Sequence, residues 1–231
     1  ADPSLVLVSG LSSGEGLIER VRDASEPNEK GEIQFPGVDD KRLLIVEAEF
    51  ASVLKQVQRP GNTLSPVLRD AWDANSLSTL TRKNNALTAT DPHIVIIGHV
   101  TRDELVRCQA EQEWHNGFGN RFLWCCAKRS QFLPEGASLE EEVMDELIMK
   151  TGQALTVASK IGRVEKSPEA KEYWAQIYAD LSQGHCGLFG DMTARSEAHT
   201  LRLGYLFAVL DGYDRMHVEH LPGMVPRLAV A

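Results

Sequence analysis

The stretch that decides the fold is Arg42-Leu43-Leu44-Ile45-Val46-Glu47-Ala48-Glu49-Phe50. Its apolar core, residues 43–46, is the kind of continuous run that is typical of a strand buried on both faces. Apolar side chains then recur at helical spacing, at Phe50, Val53, Leu54 and Val57. A buried strand that leads directly into an amphipathic helix is the repeating unit of a parallel α/β sheet.

Two further apolar runs repeat this pattern, Ile94–Ile97 and Phe122–Cys126. Thr101 and Glu104 fit a capping box that begins a helix after the first of them. Two Thr-rich runs, 77–81 and 86–90, are typical of a β-hairpin. We therefore expect residues 1–135 to form an α/β domain with a largely parallel sheet of three buried strands.

Residues 136–231 change character and predict a C-terminal helical subdomain. Ser138 with Glu141 fits a capping box, and Ser167-Pro168 is a cap followed by proline at the first helical position. A third helix is expected from about Met192 to Leu210.

Composition limits the class of protein. The 231 residues carry 24 basic and 33 acidic side chains, a net charge of −9. A chain this acidic is not a general polyanion binder, so nucleic acid would need a local basic patch. No apolar run approaches the ~20 residues of a membrane span, so we expect no membrane partner. The four cysteines lack framework spacing and predict reduced, buried thiols of a cytoplasmic protein.

Acidic residues follow the decisive strand at Glu47 and Glu49. In an extended chain the period of two would place both carboxylates on one side. The carboxyl end of a central strand is where α/β proteins bind ligands, so the pair could hold a hydrated Mg²⁺ and orient a water. Alternatively, both residues occupy the first turn of the next helix, where its dipole favours them.

Other polar residues follow or precede the remaining predicted strands. His99 could sense a γ-phosphate or position water, or it is a structural histidine. Arg121 follows a flexible turn and has the rigid fork that suits phosphate, as in an arginine finger; the alternative is an ordinary ion pair. A local cationic strip could bind nucleic acid, or its residues are simply solvated; the candidates are Arg82, Lys83, Lys128 and Arg129, with Arg102 and Arg107 beside them.

The glycine-rich segment 10–16 invites comparison with a phosphate-binding loop. No Lys-Ser/Thr follows Gly16, so the cation that reaches the β- and γ-phosphates is absent. We favour a strand–turn–helix corner, with Ser12 and Glu15 as a capping box.

Several of these segments together resemble one family: Ser9–Leu17, Asp39–Ala51, Gly61–Ser65, His93–Thr101, Asn116–Trp124 and Arg195–His199. The family comprises bacterial and phage proteins of unknown function that are related to the ATPase half of primase–helicases from mobile elements. The resemblance implies a RecA-like nucleoside triphosphatase core of the P-loop type that acts on DNA with ATP and Mg²⁺ and without a transition metal.

The resemblance also implies roles for individual residues. Glu49 matches the catalytic acidic position, with Glu47 beside it, while His99 takes the sensor position and Arg121 the finger position. Fingers supplied across subunits imply a homo-oligomer in the intact protein. The family's phosphate loop lies upstream of the Ser9–Leu17 block, so this chain is expected to be a piece that does not hydrolyse ATP alone.

Two other functions fit the sequence less well. One is a non-catalytic adaptor that retains the ATPase fold and binds nucleic acid or protein. The other is a hydrolase or metal enzyme of another class that uses Glu47, Glu49 and the histidines.

Overall fold

The chain folds into two compact units, residues 1–121 and 122–231. A computed structural model describes residues 6–73, 76–79, 86–108, 116–129, 132–136, 138 and 140–221. The change of character that the sequence indicates after residue 135 falls inside the second unit.

The first unit contains the expected α/β arrangement. Its strands are β1 (Val6–Val8), β2 (Arg42–Glu47), β3 (Leu77–Ser78), β4 (Thr88–Ala89) and β5 (His93–Gly98). Its helices are α1 (Gly14–Glu19), α2 (Phe50–Val57), α3 (Leu64–Trp72) and α4 (Arg102–Arg107). The strands β1, β2 and β5 form a parallel sheet in that order. Two of the three predicted strands, β2 and β5, are therefore confirmed as parallel, and the third strand of the sheet is β1. The predicted hairpin is confirmed as the antiparallel pair β3–β4.

The sheet is buried on one face only. Leu43 and Ile45 of β2 are 2% and 1% exposed, and they share their face with Glu47. On the opposite face Leu7, Val95 and Ile97 remain 64%, 43% and 46% exposed. The expectation of strands buried on both faces is therefore wrong for the second face, because the sequence pattern does not show which helices cover a sheet.

Two local predictions in the first unit have opposite outcomes. The Thr101–Glu104 capping box is confirmed at the start of α4. The Ser12–Glu15 box is wrong: Ser13 caps α1 by accepting a hydrogen bond from the Gly16 amide at 3.1 Å. Glu15 instead accepts a hydrogen bond from Thr63.

The second unit is mainly helical. Its elements are α5 (Glu141–Ala158), β6 (Glu165–Lys166), α6 (Pro168–Ser182), α7 (Gly187–Thr193), α8 (Ser196–Leu210) and β7 (Arg215–Met216). Its buried apolar cluster comprises Ala170, Ala208, Met216 and Leu221. The cap at Ser167-Pro168 is confirmed. None of the helices in the described ranges has the length and apolar character needed to cross a bilayer.

Several further predictions are wrong, most of them for residues of the second unit. Phe122–Cys126 forms no strand, since no edge among the described residues pairs with it. The helix after Ser138 begins only at Glu141, with Glu140 as its cap. The helix expected over 192–210 is divided between α7 and α8. All four cysteines are unpaired, but only Cys108 is buried.

Candidate functional site

The carboxyl ends of β1, β2 and β5 meet at one edge of the sheet, because the three strands are parallel. The residues that follow them are Ser9–Ser13 after β1, Ala48-Glu49 after β2, and His99 after β5. This edge is where open α/β sheets bind ligands. We call these residues, together with Glu47, the carboxyl-edge site.

Glu47, at the end of β2, forms hydrogen bonds to the segments that follow β1 and β5. It is 6% exposed, and its Oε1 accepts a hydrogen bond from the Leu11 amide at 2.7 Å. Its carbonyl oxygen accepts a hydrogen bond from the His99 amide at 2.9 Å. A carboxylate that accepts a backbone N–H is held in position before any ligand arrives.

Gly98 and His99 bring β5 against the start of α2. The His99 carbonyl accepts a hydrogen bond from the Phe50 amide at 2.8 Å. A Cβ added at Gly98 would lie 2.6 Å from Phe50 Cδ2, so only glycine leaves room for this ring. The close approach therefore fixes His99 beside the turn that carries Glu49.

Glu49 differs from Glu47 in both position and exposure. The strand ends at Glu47, and Glu49 is the N-cap residue of α2 with an exposed side chain that makes no capping hydrogen bond. Its carbonyl accepts hydrogen bonds from the amide and the hydroxyl of Ser52, at 3.0 and 2.8 Å. The period of two does not extend across this turn, and neither acid lies in the first turn of α2.

Arg121 lies in a short 3₁₀ turn, Gly119–Arg121, and its fork is engaged. One terminal nitrogen donates to Asp73 Oδ2 at 2.7 Å, and the other donates to the Gly117 carbonyl at 2.7 Å. The guanidinium also lies 5.7 Å from the ring centroid of Trp72. In this state the arginine forms an ion pair, and its role as a finger stays a prediction.

Part of the predicted cationic strip lies outside the described residues. Lys128 and Arg129 are exposed, and the Arg129 guanidinium lies 5.4 Å from the ring centroid of Phe132. Arg82 and Lys83 lie outside the described residues. The nucleic-acid role of all four stays a prediction.

A polar cleft beside the carboxyl-edge site was not assigned any role from the sequence. Asn62 donates to the Ser12 carbonyl at 2.9 Å, and Thr63 donates to Glu15 Oε2 at 2.8 Å. The cleft has a volume of about 410 Å³ and is lined by Ser12, Ser13, Glu15, Gln56, Arg59, Pro60, Gly61, Asn62 and Thr63. A polar Gly-Asn-Thr segment between two amphipathic helices is the feature of the sequence that indicates it.

The carboxyl-edge site offers the carboxylates of Glu47 and Glu49, and carboxylate oxygen is a ligand type that magnesium takes. Among the described residues no three His, Cys, Asp or Glu side chains are grouped as metal ligands. Magnesium is commonly held by one or two carboxylates together with waters and substrate phosphates. One oxygen of Glu47 is engaged by Leu11, whereas the carboxylate of Glu49 is exposed to solvent.

Comparisons with known proteins give little further guidance. No protein-family model matches the chain, and no curated protein matches it. One similar solved structure is that of a "putative ATPase" from Cytophaga hutchinsonii, at 10% sequence identity and a TM-score of 0.35. The alignment covers 95% of this chain and 74% of that one. A likeness this weak carries no argument about function, which therefore depends on the geometry of the site.

Proposed function

We propose that the intact protein is a nucleoside triphosphatase and that this chain supplies the acidic part of its nucleotide site. The observation that carries the proposal is the buried Glu47 at the tip of the central strand. It is held by the Leu11 amide and lies beside His99 and the turn to Glu49. Preorganised groups at the carboxyl edge of a parallel sheet are what phosphoryl transfer requires.

The two carboxylates have different tasks in this proposal. Glu47 is immobilised and acts as a fixed negative charge at the strand tip. Glu49 is exposed and can accept a hydrogen bond from the attacking water. His99, at the end of the neighbouring strand, would help to position that water. A hydrated Mg²⁺ ion at Glu47 would neutralise charge on the phosphate oxygens, which leaves Glu49 for the attacking water.

Binding of a triphosphate also requires a loop whose backbone amides contact the phosphates and a cationic side chain that reaches the β- and γ-phosphates. The 231 residues contain no Gly-x-x-x-x-Gly-Lys-Ser/Thr motif. The proposal therefore requires a phosphate-binding loop from outside these residues. The family resemblance adds two parts to the proposal. The partner is DNA, and several copies of the protein assemble so that Arg121 of one copy acts at the nucleotide site of the next. Lys128 and Arg129 are its exposed candidates for phosphate contacts.

The test compares ATP turnover by the intact protein with that of its Glu49→Gln variant. Loss of a positioned general base lowers kcat by about 10²- to 10⁴-fold, while binding of Mg²⁺–ATP should stay unchanged. Glu29→Gln is the matched control, since Glu29 is an exposed acid remote in sequence from the site. Full turnover by Glu49→Gln would refute the assigned role.

A non-catalytic binding module is the second candidate, and one observation favours it. The two terminal nitrogens of Arg121 already donate to Gly117 and Asp73, as in a structural ion pair. Titration of the intact protein with a fluorescent ATP analogue and Mg²⁺ separates the candidates. Saturable binding supports the triphosphatase, and its absence supports the adaptor.

A further inference from the structure

Helix α5 presents an apolar stripe to solvent. None of its 18 residues is buried. Met144, Ile148 and Leu155 are 42%, 62% and 61% exposed. With Thr151 they are spaced by four, three and four residues, which places all four on one face of the helix. An exposed stripe of this kind marks an interaction surface.

The stripe overlaps only at its C-terminal end with the side on which α5 contacts its own unit. The helix lies against α8. Its half-buried residues are Ala154, which projects roughly a quarter of a turn away from the stripe, and Ala158, which follows Thr151 by seven residues and lies at the C-terminal end of the stripe. The intramolecular packing of the helix therefore leaves the stripe available from Met144 to Leu155.

Charge along α5 is strongly polarised. Residues 140–150 carry five carboxylates and one lysine, whereas residues 151–163 carry Lys160, Arg163 and no carboxylate. Two parallel copies of this segment would bring like charges together. Two antiparallel copies would bring the acidic half of each against the basic half of the other, and would also oppose the helix dipoles favourably.

Gly152 adds an independent observation. It lies near the middle of α5, where glycine is less favourable than alanine because the unfolded chain loses more freedom. A Cβ added there would meet no atom within 4 Å, so the described contacts of this chain do not require glycine. Close approach of a second helix at this point would require it.

We propose that α5 pairs antiparallel with α5 of a second copy of this chain. The pairing sets Met144 opposite Leu155 and Ile148 opposite Thr151 about a twofold axis. It sets Glu140 and Glu141 of one copy against the Lys160 and Arg163 segment of the other. The inference does not depend on the proposed nucleotide chemistry.

Sedimentation equilibrium of the 231-residue chain over a wide concentration range tests the pairing. We expect a monomer–dimer equilibrium that Ile148→Glu weakens at least about tenfold, because a buried unpaired charge is costly. Leu206→Glu, at another half-exposed leucine of the second unit, should leave the equilibrium unchanged. A monomer at every concentration, or a dimer indifferent to Ile148→Glu, would overturn the proposal.

Charge exchange tests the antiparallel orientation. Glu140→Lys with Glu141→Lys should weaken the dimer, and adding Lys160→Glu with Arg163→Glu should restore it. Circular dichroism of each variant confirms that α5 remains folded. Failure of the second pair to restore the dimer would overturn the antiparallel arrangement.

Gly152→Ala separates the interface from the stability of the helix. It should raise the melting temperature of the monomer, because alanine is the better helix former, and should weaken the dimer. A tighter dimer would contradict a close helix–helix approach. If the stripe instead binds the first unit or another protein, the chain sediments as a monomer, which is also a negative result.

Discussion

The carboxyl-edge site and helix α5 differ in which side chains they bury: the first buries a polar side chain, and the second exposes apolar ones. At the edge, the buried carboxylate of Glu47 is bound to the backbone of Leu11, 36 residues away. Along α5, by contrast, apolar side chains stand in solvent over four helical turns. The comparison indicates a preorganised chemical site in the first unit and an unfilled interaction surface in the second. The predictions below test both halves of this contrast, beginning with the packing that supports the site.

The largest effect is expected from Phe50→Ala. Phe50 is 2% exposed and packs against Gly98 at the start of α2. Removing a buried aromatic ring should lower the free energy of unfolding by about 3–5 kcal/mol, measured by urea denaturation. Phe132→Ala is the control, since Phe132 is 82% exposed, and it should change stability little. Equal effects of the two variants would contradict the packing described for the site.

Gly98→Ala should have the next largest effect. The new methyl group would overlap the Phe50 ring, and such overpacking costs about 1–3 kcal/mol. In the same urea titration Gly162→Ala should be nearly neutral, because a Cβ there meets open space. Stabilisation by Gly98→Ala would show that the approach of β5 to α2 is looser than described.

Glu47→Ala tests the brace between strand ends. It leaves the Leu11 amide without its acceptor, at a cost of about 1–2 kcal/mol. Glu47→Gln keeps an acceptor oxygen and should lose less. Amide hydrogen exchange at Leu11 should accelerate in the alanine variant more than in the glutamine variant. Unchanged exchange in both variants would mean that the hydrogen bond is not maintained in solution.

The smallest effect concerns acid stability. Burial would raise the pKa of Asp23, but hydrogen bonds from Lys41 and Thr90 outweigh it and hold the pKa below its ordinary value of 3.8. The bonds therefore stabilise the fold above pH 3.8, and this contribution is lost as pH falls through the lower folded-state pKa. Asp23→Asn should show a smaller loss of stability on acidification than wild type, measured by urea midpoints at several pH values.

The exposed Asp39 provides the control for that measurement. Asp39→Asn should leave the acid dependence of the urea midpoint as it is in wild type. An Asp23→Asn variant that behaves in the same way would show that the Lys41–Asp23–Thr90 contacts contribute nothing to acid stability.

Local sequence patterns predict those helices and strands that are determined by residues close in the sequence or by a strongly apolar run. The runs 43–46 and 94–97 become β2 and β5, and the Thr101–Glu104 box begins α4, because periodicity and capping act within a few residues. Phe122–Cys126 shows the limit of such patterns. An apolar run becomes a strand only where an edge pairs with it, and sequence pattern alone does not identify that edge.

The candidate site shows the same limit. Placement of Glu47 and His99 at neighbouring strand ends follows from two apolar runs and the rule for parallel sheets. The hydrogen bond from Leu11 to Glu47 and the ion pair of Arg121 with Asp73 join residues far apart in the chain. The different exposure of Glu47 and Glu49 depends on where β2 ends, which is a matter of one or two residues.

The most direct test of the central claim is the chemical state of nucleotide bound to the intact protein. The protein is incubated with Mg²⁺ and ATP for many wild-type turnovers, then acid-quenched, and bound ATP and ADP are separated. We predict ADP from wild type and from Glu29→Gln, and nearly unhydrolysed ATP from Glu49→Gln. Wild-type amounts of ADP from the Glu49→Gln variant would contradict the account.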